Sequence, residues 1–103
     1  MSAVRQLWLA PLRGVTIRAF RTVFAGPIRE AGFTGTYAPF IPALPAMRIR
    51  PATLADILPF DPALVPQAIG KDPAALTVLL EAFKKAGYRR ADLNAGCPFP
   101  MII

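Results

Sequence analysis

Three side chains at the ends of apolar stretches have the chemistry to form a reactive site: Gln67, Asn94 and Cys97. Cys97 is the only cysteine and lies between Gly96 and Pro98, where a turned backbone is expected. A thiol has an ordinary pKa of about 8.5, so it is mostly protonated at neutral pH and can donate a proton as well as act as a nucleophile. The alternative is the commoner role of a lone cysteine, a small buried hydrophobe.

Gln67 and Asn94 likewise have two possible roles, one structural and one in ligand binding. Gln67 interrupts an apolar run, and Asn94 ends one. A buried amide must find hydrogen-bond partners, which are either nearby backbone or a ligand. Each amide offers a donor and an acceptor, a combination that suits the edge of a heteroaromatic ring such as flavin or uracil.

Other kinds of site are not predicted. The chain has no histidine and one cysteine, so we expect neither a metal site nor a Ser-His-Asp or Cys-His arrangement. Gly70-Lys71 is not a phosphate loop, because Val65 replaces the required earlier glycine and Asp72 replaces the required Ser or Thr. No G-x-G-x-x-G turn for a dinucleotide is present.

The elements that would position the amides and the thiol alternate between strand and helix. Runs rich in apolar and β-branched residues predict strands at Val4–Ala10, Phe33–Phe40 and Leu64–Gly70, and Arg89–Asn94, which follows the last predicted helix, is expected to be the fourth strand. This alternation favours a parallel sheet in an α/β fold, whose strands all end at one edge. We therefore expect one rim to gather the segments that follow these strands: Pro11–Gly14, Pro39–Phe40, Gln67–Gly70 and Asn94–Cys97.

Two helices and a short helical turn are predicted between the strands. Thr16 would cap the first helix, and Gly26-Pro27 would interrupt it. Its apolar face would comprise Ile17, Phe20, Val23 and Phe24, with Arg18 and Arg21 on the opposite side. A loop at Ile41–Pro51 would lead to the helical turn at Thr53–Leu58.

The last predicted helix has the clearest signals. Asp72 is suited to be its N-cap, Pro73 to the first position and Gly87 to its end. Its core face would consist of Leu76, Leu79, Leu80 and Phe83.

Composition limits the partners. The net charge of +6 favours a polyanion such as RNA, or else describes a solvated basic surface. A single cysteine excludes an internal disulfide and fits a cytoplasmic protein. No stretch approaches the roughly 18 apolar residues of a membrane span. The mean hydropathy of +0.43 indicates strands buried on both faces or an unusually apolar surface.

Three segments together resemble the tRNA-dihydrouridine synthases: Leu9–Thr16, Val65–Pro73 and Asp92–Pro98. They occur in the order and spacing of that family and span nearly the whole chain. The resemblance implies a TIM-barrel enzyme with bound FMN and with NADPH as the reductant. It also implies tRNA as the substrate, in which the C5–C6 double bond of particular uridines is reduced.

The resemblance also implies roles for individual residues. Cys97 would be the general acid that protonates C5 after hydride reaches C6, and Asn94 would contact the substrate uracil or the flavin. Gln67 would hydrogen-bond the flavin ring. The backbone lining the face of the flavin would belong to Ala10, Pro11 and Leu12.

A TIM barrel needs about 250 residues and eight strands. We therefore expect residues 1–103 to be the N-terminal half of the FMN-binding catalytic domain, a partial TIM barrel of about four β/α units truncated after its fourth strand. Such a fragment would not turn over alone, and its open strand edges would pair with a complementing C-terminal half or with a second copy.

Two alternatives to a synthase fragment are another flavin TIM-barrel oxidoreductase, such as a dihydroorotate dehydrogenase relative, and a non-catalytic basic RNA-binding or interaction fragment. The string Asn94–Pro98 argues against the first.

Overall fold

The computed structural model describes residues 6–94, which form a mixed α/β fold. Its strands are β1 (Trp8–Leu9), β2 (Gly35–Tyr37), β3 (Ile41–Pro42), β4 (Leu64–Val65), β5 (Gln67–Ile69) and β6 (Asp92–Asn94). Its α-helices are α1 (Arg18–Val23), α2 (Ala25–Glu30) and α3 (Pro73–Lys85), and a 3₁₀ helix covers Pro51–Ile57.

Every strand pair in the described chain is parallel, as the alternation of elements predicts. One sheet has the order β1-β2-β4 and the other has the order β3-β5-β6. β2 and β3 lie on one extended segment of the chain, and β4 and β5 lie on the next. Each of these two segments contributes one strand to each sheet, and the segments that pair are neighbours in chain order. This arrangement is compatible with part of an α/β barrel.

Proline divides the third predicted strand. Leu64–Gly70 becomes β4 and β5, which are separated at Pro66, a fully buried residue without an N–H for the ladder. The predicted loop at Ile41–Pro51 is wrong at its start, because Ile41 and Pro42 pair with β5 as β3. The other three predicted strands are present but shorter within the described residues.

Helix α3 has the predicted cap, and its buried face is partly as predicted. The Asp72 carboxylate accepts a hydrogen bond of 2.9 Å from the Ala75 N–H. Leu79 and Phe83 are buried against the sheet, whereas Leu80 is 41% exposed, so its place in the predicted core is wrong. The face contains two small residues instead, Ala75 and Ala82. These small side chains let the helix lie close to the strands.

The predicted orientation of the first helix is wrong. Val23 is 71% exposed, while Arg21, expected on the solvent side, is only 8% exposed. The Arg21 guanidinium pairs with the Asp56 carboxylate at 2.9 Å and donates to the Thr16 carbonyl at 2.6 Å and to the Asp56 carbonyl. A buried guanidinium with these partners fixes the rotation of α1, which leaves apolar positions in water.

Asp56 also performs the capping role predicted for Thr16. Its carboxylate accepts a hydrogen bond of 2.6 Å from the Arg18 backbone N–H, one of the unpaired donors at the start of α1. The break between the first two helices falls at Phe24. The predicted breaker Gly26-Pro27 lies instead in the first turn of α2, where proline is tolerated.

Tyr88 joins the end of α3 to the 3₁₀ helix. Its hydroxyl donates a hydrogen bond of 2.6 Å to the Ile57 carbonyl and accepts one of 3.2 Å from the Asp61 N–H. Its ring lies 4.9 Å from that of Phe60, measured between centroids. The 3₁₀ helix is therefore held by α1 through Asp56 and by the α3 terminus through Tyr88.

We predict that Asp56→Ala lowers the free energy of unfolding by about 3 kcal/mol. This value is near the lower end of the loss expected when a buried ion pair is broken, because the Asp56 side chain is 32% exposed. The change leaves the Arg21 guanidinium buried without its carboxylate and the start of α1 uncapped. Urea titration followed by circular dichroism measures the loss. Glu81→Ala, at an exposed site on α3, is the control and should change stability by less than about 0.5 kcal/mol.

Burial raises the pKa of the Tyr88 hydroxyl above its ordinary value. The folded state then keeps this proton at a pH where the unfolded state loses it. Stability from this group is therefore complete below about pH 10 and falls as the pH rises further. We predict that in Tyr88→Phe the free energy of unfolding depends less strongly on pH between pH 10 and 11. Urea titration at each pH measures this dependence. An unchanged slope would contradict the assignment.

Candidate functional site

Gln67 is the most deeply placed of the predicted site residues, with 5% of its surface exposed. Its neighbour Ala68 belongs to the core shared with α3. Because successive side chains of a strand point to opposite faces, Gln67 lies on the face of the sheet turned away from α3. We call this the inner face. It is the face on which a barrel would enclose its interior.

Asp92 lies directly beside Gln67 on the neighbouring strand. The two residues are paired in the β5–β6 register, and Gln67 Nε2 donates a hydrogen bond of 2.6 Å to Asp92 Oδ2. Asp92 is half-buried. This short bond to a charged acceptor gives the amide one fixed partner on the inner face.

Asn94 lies farther toward the carboxyl end of the same strand. It pairs with Ile69 in the β5–β6 register and is half-buried. Being two residues beyond Asp92, it shares the inner face, displaced by about 6.6 Å along the strand. The structure thus brings Gln67 and Asn94 to one face of adjacent strands, with Gln67 at the first residue of β5 and Asn94 at the last residue of β6.

The turn at Ala10–Leu12 follows β1 and reaches the surface. Ala10 and Leu12 are exposed, and Pro11 is half-buried. Thr16, only 2% exposed, holds this turn: its Oγ1 accepts from the Leu12 N–H at 2.8 Å and donates to the Leu12 carbonyl at 3.2 Å. The backbone of Leu12 is thereby fixed by a side chain four residues away.

Contacts between loops show that the strand ends approach one another. The Arg13 guanidinium lies 5.5 Å from the centroid of the Phe40 ring, which joins the segments that follow β1 and β2. The Ala43 N–H donates to the Ile69 carbonyl at 2.7 Å, which joins the ends of β3 and β5. Cys97, the predicted proton donor, lies outside the described residues.

The opposite end of the inner face carries aromatic side chains and an arginine. The Trp8 ring is 5.7 Å from that of Tyr37, and the Arg90 guanidinium lies 4.9 Å from the Trp8 ring centroid. A Cβ at Gly35 would overlap both the Ala63 carbonyl oxygen and the Trp8 ring, so only glycine fits between them. These groups lie on β1, on β2 and just before β6, whereas Asn94 is the last residue of β6.

Residues 6–94 have neither a metal-binding cluster nor a membrane-spanning helix. No cluster of three or more histidine, cysteine or acidic side chains occurs there in a position to bind a metal ion. None of the helices in that range has the length and apolar character needed to cross a membrane.

Sequence reasoning did not assign a role at the site to Thr16 or Asp92. Thr16 was expected to cap a helix, but its side chain holds the turn before that helix instead. Asp92 lies within the segment Asp92–Pro98, and its role becomes visible only through its register with Gln67. The available signal is a polar residue on each of two neighbouring predicted strands, Gln67 and Asp92, which favours a pair across the strands.

We predict that Thr16→Val loosens the turn that carries Ala10–Leu12. The change preserves size but removes the two hydrogen bonds to Leu12, and we expect stability to fall by about 1–2 kcal/mol. Amide hydrogen exchange should be faster at Leu12 than in the parent protein. Thr16→Ser keeps the hydroxyl and should retain the protection, while equal exchange in both variants would contradict this role.

One comparison with known proteins identifies a family. The sequence model described as Dihydrouridine synthase (Dus) matches residues 8–103. Comparisons with curated proteins and with solved structures gave no match. The matched range contains the paired inner-face residues Gln67 and Asp92, the turn at Ala10–Leu12 and the segment with Asn94 and Cys97. The chain belongs to the dihydrouridine synthase family.

Proposed function

We propose that this chain forms the flavin-binding part of an FMN-dependent tRNA-dihydrouridine synthase that takes its electrons from NADPH. The observation that carries the proposal is the placement of Gln67 and Asn94 on one face of adjacent parallel strands, within a chain of this family. Dihydrouridine synthases act on tRNA and are flavin-dependent, which sets the class of substrate and cofactor.

The inner face has groups that fit the edge of a flavin ring. A primary amide has a carbonyl oxygen and two N–H groups, and Asp92 takes one N–H of Gln67. The Gln67 carbonyl oxygen and its second N–H take no part in this bond to Asp92. Such a donor–acceptor pair matches the alternating N–H and C=O groups of a flavin pyrimidine ring. We propose that the Ala10–Leu12 backbone lines the ring face, because it is turned and exposed at the neighbouring strand end.

The reduction of uridine adds a hydride and a proton across the C5–C6 double bond. FMN, when bound, supplies the hydride that reaches C6. We assign the proton at C5 to the thiol of Cys97, because a group protonated at neutral pH can donate in the same step. Asn94 would hold the uracil edge with its amide donor and acceptor.

The charge of the chain suits a tRNA substrate. Arg13 follows β1 and Lys71 follows β5, and both are exposed near the strand ends where the base must be presented. Phosphate contacts of this kind make binding depend on salt. The uridine must also leave its stack to reach a flavin at the sheet edge. We place the enzyme in the cytoplasm with its tRNA substrate.

The edge strands of the two sheets could pair with strands of another chain. Within residues 6–94, β1 pairs only with β2 and β6 only with β5, and Leu93 on the outer face of β6 is 56% exposed. We propose that a complementing C-terminal half or a second copy closes the barrel along these edges. Residues 1–103 alone would then have little turnover.

The first test is binding of FMN by the purified full chain, measured as quenching of flavin fluorescence. We expect saturable quenching in the parent protein and affinity reduced about tenfold in Gln67→Leu, which removes the amide while keeping an apolar side chain of similar size. Cys97→Ala should bind FMN as the parent does. Absence of quenching in the parent would overturn the proposed function, and tRNA binding without FMN binding would instead support the non-catalytic RNA-binding alternative.

A second test concerns Cys97 in an active preparation, reconstituted if necessary with a complementing half from the family. With NADPH and tRNA, mass spectrometry of digested tRNA should show uridine that has gained two hydrogens. Loss of a general acid lowers rates by about 10²–10⁴-fold, so Cys97→Ala should reduce product formation by that range. Rates equal to those of the parent would exclude Cys97 as the proton donor.

A further inference from the structure

We propose that Asp92 is a positioning residue that fixes the orientation of the Gln67 amide toward the ligand. This inference rests on the proposed function, because the ligand is taken to be the pyrimidine ring of the flavin. Asp92 and Gln67 face each other in register on β6 and β5, and a hydrogen bond of 2.6 Å joins Gln67 Nε2 to Asp92 Oδ2.

The chemistry of the pair allows one orientation of the amide. An ionised carboxylate only accepts hydrogen bonds, so it selects the nitrogen of the amide and repels its carbonyl oxygen. A flipped amide would place two oxygens against each other in a site where Gln67 is 95% buried, with little water to compensate. Asp92 therefore determines which atom of Gln67 points away from β6.

The carbonyl oxygen of Gln67 is consequently the atom offered to a ligand. A carbonyl accepts, so it selects a ring group that donates, such as the imide N–H between the two carbonyl groups of a flavin. The remaining N–H of the amide can donate to one of those carbonyls. Without Asp92, Gln67 could present either end, and the preference for a donor at that position would be lost.

The position of Asp92 supports a role in orientation and not in direct contact with the ring. It pairs with Gln67 in the register, whereas Asn94 lies closer to the strand end and to the segment with Cys97. The basic residue on the same face, Arg90, contacts the Trp8 ring, with its guanidinium carbon 4.9 Å from the ring centroid. Asp92 is the carboxylate that the structure shows bonded to the Gln67 amide.

The test compares FMN with an analogue methylated at the imide nitrogen, which cannot donate there. The parent chain should bind FMN about tenfold more tightly than the analogue, a ratio typical of one hydrogen bond. Asp92→Ala should reduce this ratio toward one. Asp92→Asn presents a donor as well as an acceptor, so it no longer selects one orientation of the Gln67 amide and should also reduce the ratio. A variant that only weakened the fold would lower both affinities and leave the ratio unchanged, and that result would overturn the inference.

A measurement without ligand separates this inference from the proposed function. In ¹⁵N NMR spectra, the side-chain NH₂ of Gln67 should give two well-resolved, slowly exchanging proton signals in the parent, because one proton is bonded to Asp92. Asp92→Ala should move these signals toward those of a mobile amide, while Glu30→Ala, at an exposed site on α2, should leave them in place. Unchanged signals in Asp92→Ala would refute the positioning role even if FMN binds. Changed signals in a chain that does not bind FMN would refute only the proposed function.

Discussion

The contact between Arg21 and Asp56 holds the helical layer on which the parallel strands rest. One carboxylate neutralises a buried guanidinium, caps the first helix and anchors the 3₁₀ helix, which Tyr88 holds from the other side. The Arg21–Asp56 pair joins residues 35 positions apart in sequence. A local interaction could not align the first helix with an element of the following unit, so the order of the layer depends on this pair.

The same pair explains which features could be predicted from the sequence. Helix α3 was predictable because its signals are local: Asp72 and Pro73 at its start, and Gly87 after its end. The face of α1 was not predictable, because a pattern that places Phe24 and Val23 inside ignores a carboxylate from a distant segment that draws Arg21 inward. Hydrophobic periodicity is a weak guide where a charged pair determines the rotation of a short helix.

At the site, the types of residue were predictable and their arrangement was partly so. Parallel strands bring their ends together, so the expectation that Gln67 and Asn94 share an edge follows from the order of elements. The partner of Gln67 could not be inferred from spacing, because it depends on the register between β5 and β6. Likewise, Thr16 looks like a helix cap in sequence, and only the path of the backbone shows that it holds Leu12.

Pro66 shows how one residue without an N–H shapes the whole sheet. It divides the central segment into β4, which pairs toward β2, and β5, which pairs with both β3 and β6. The sheet that contains Gln67 and Asp92 is therefore separate from the sheet that contains Trp8 and Tyr37. The same stretch of chain thus contributes to both sheets and joins them through Pro66.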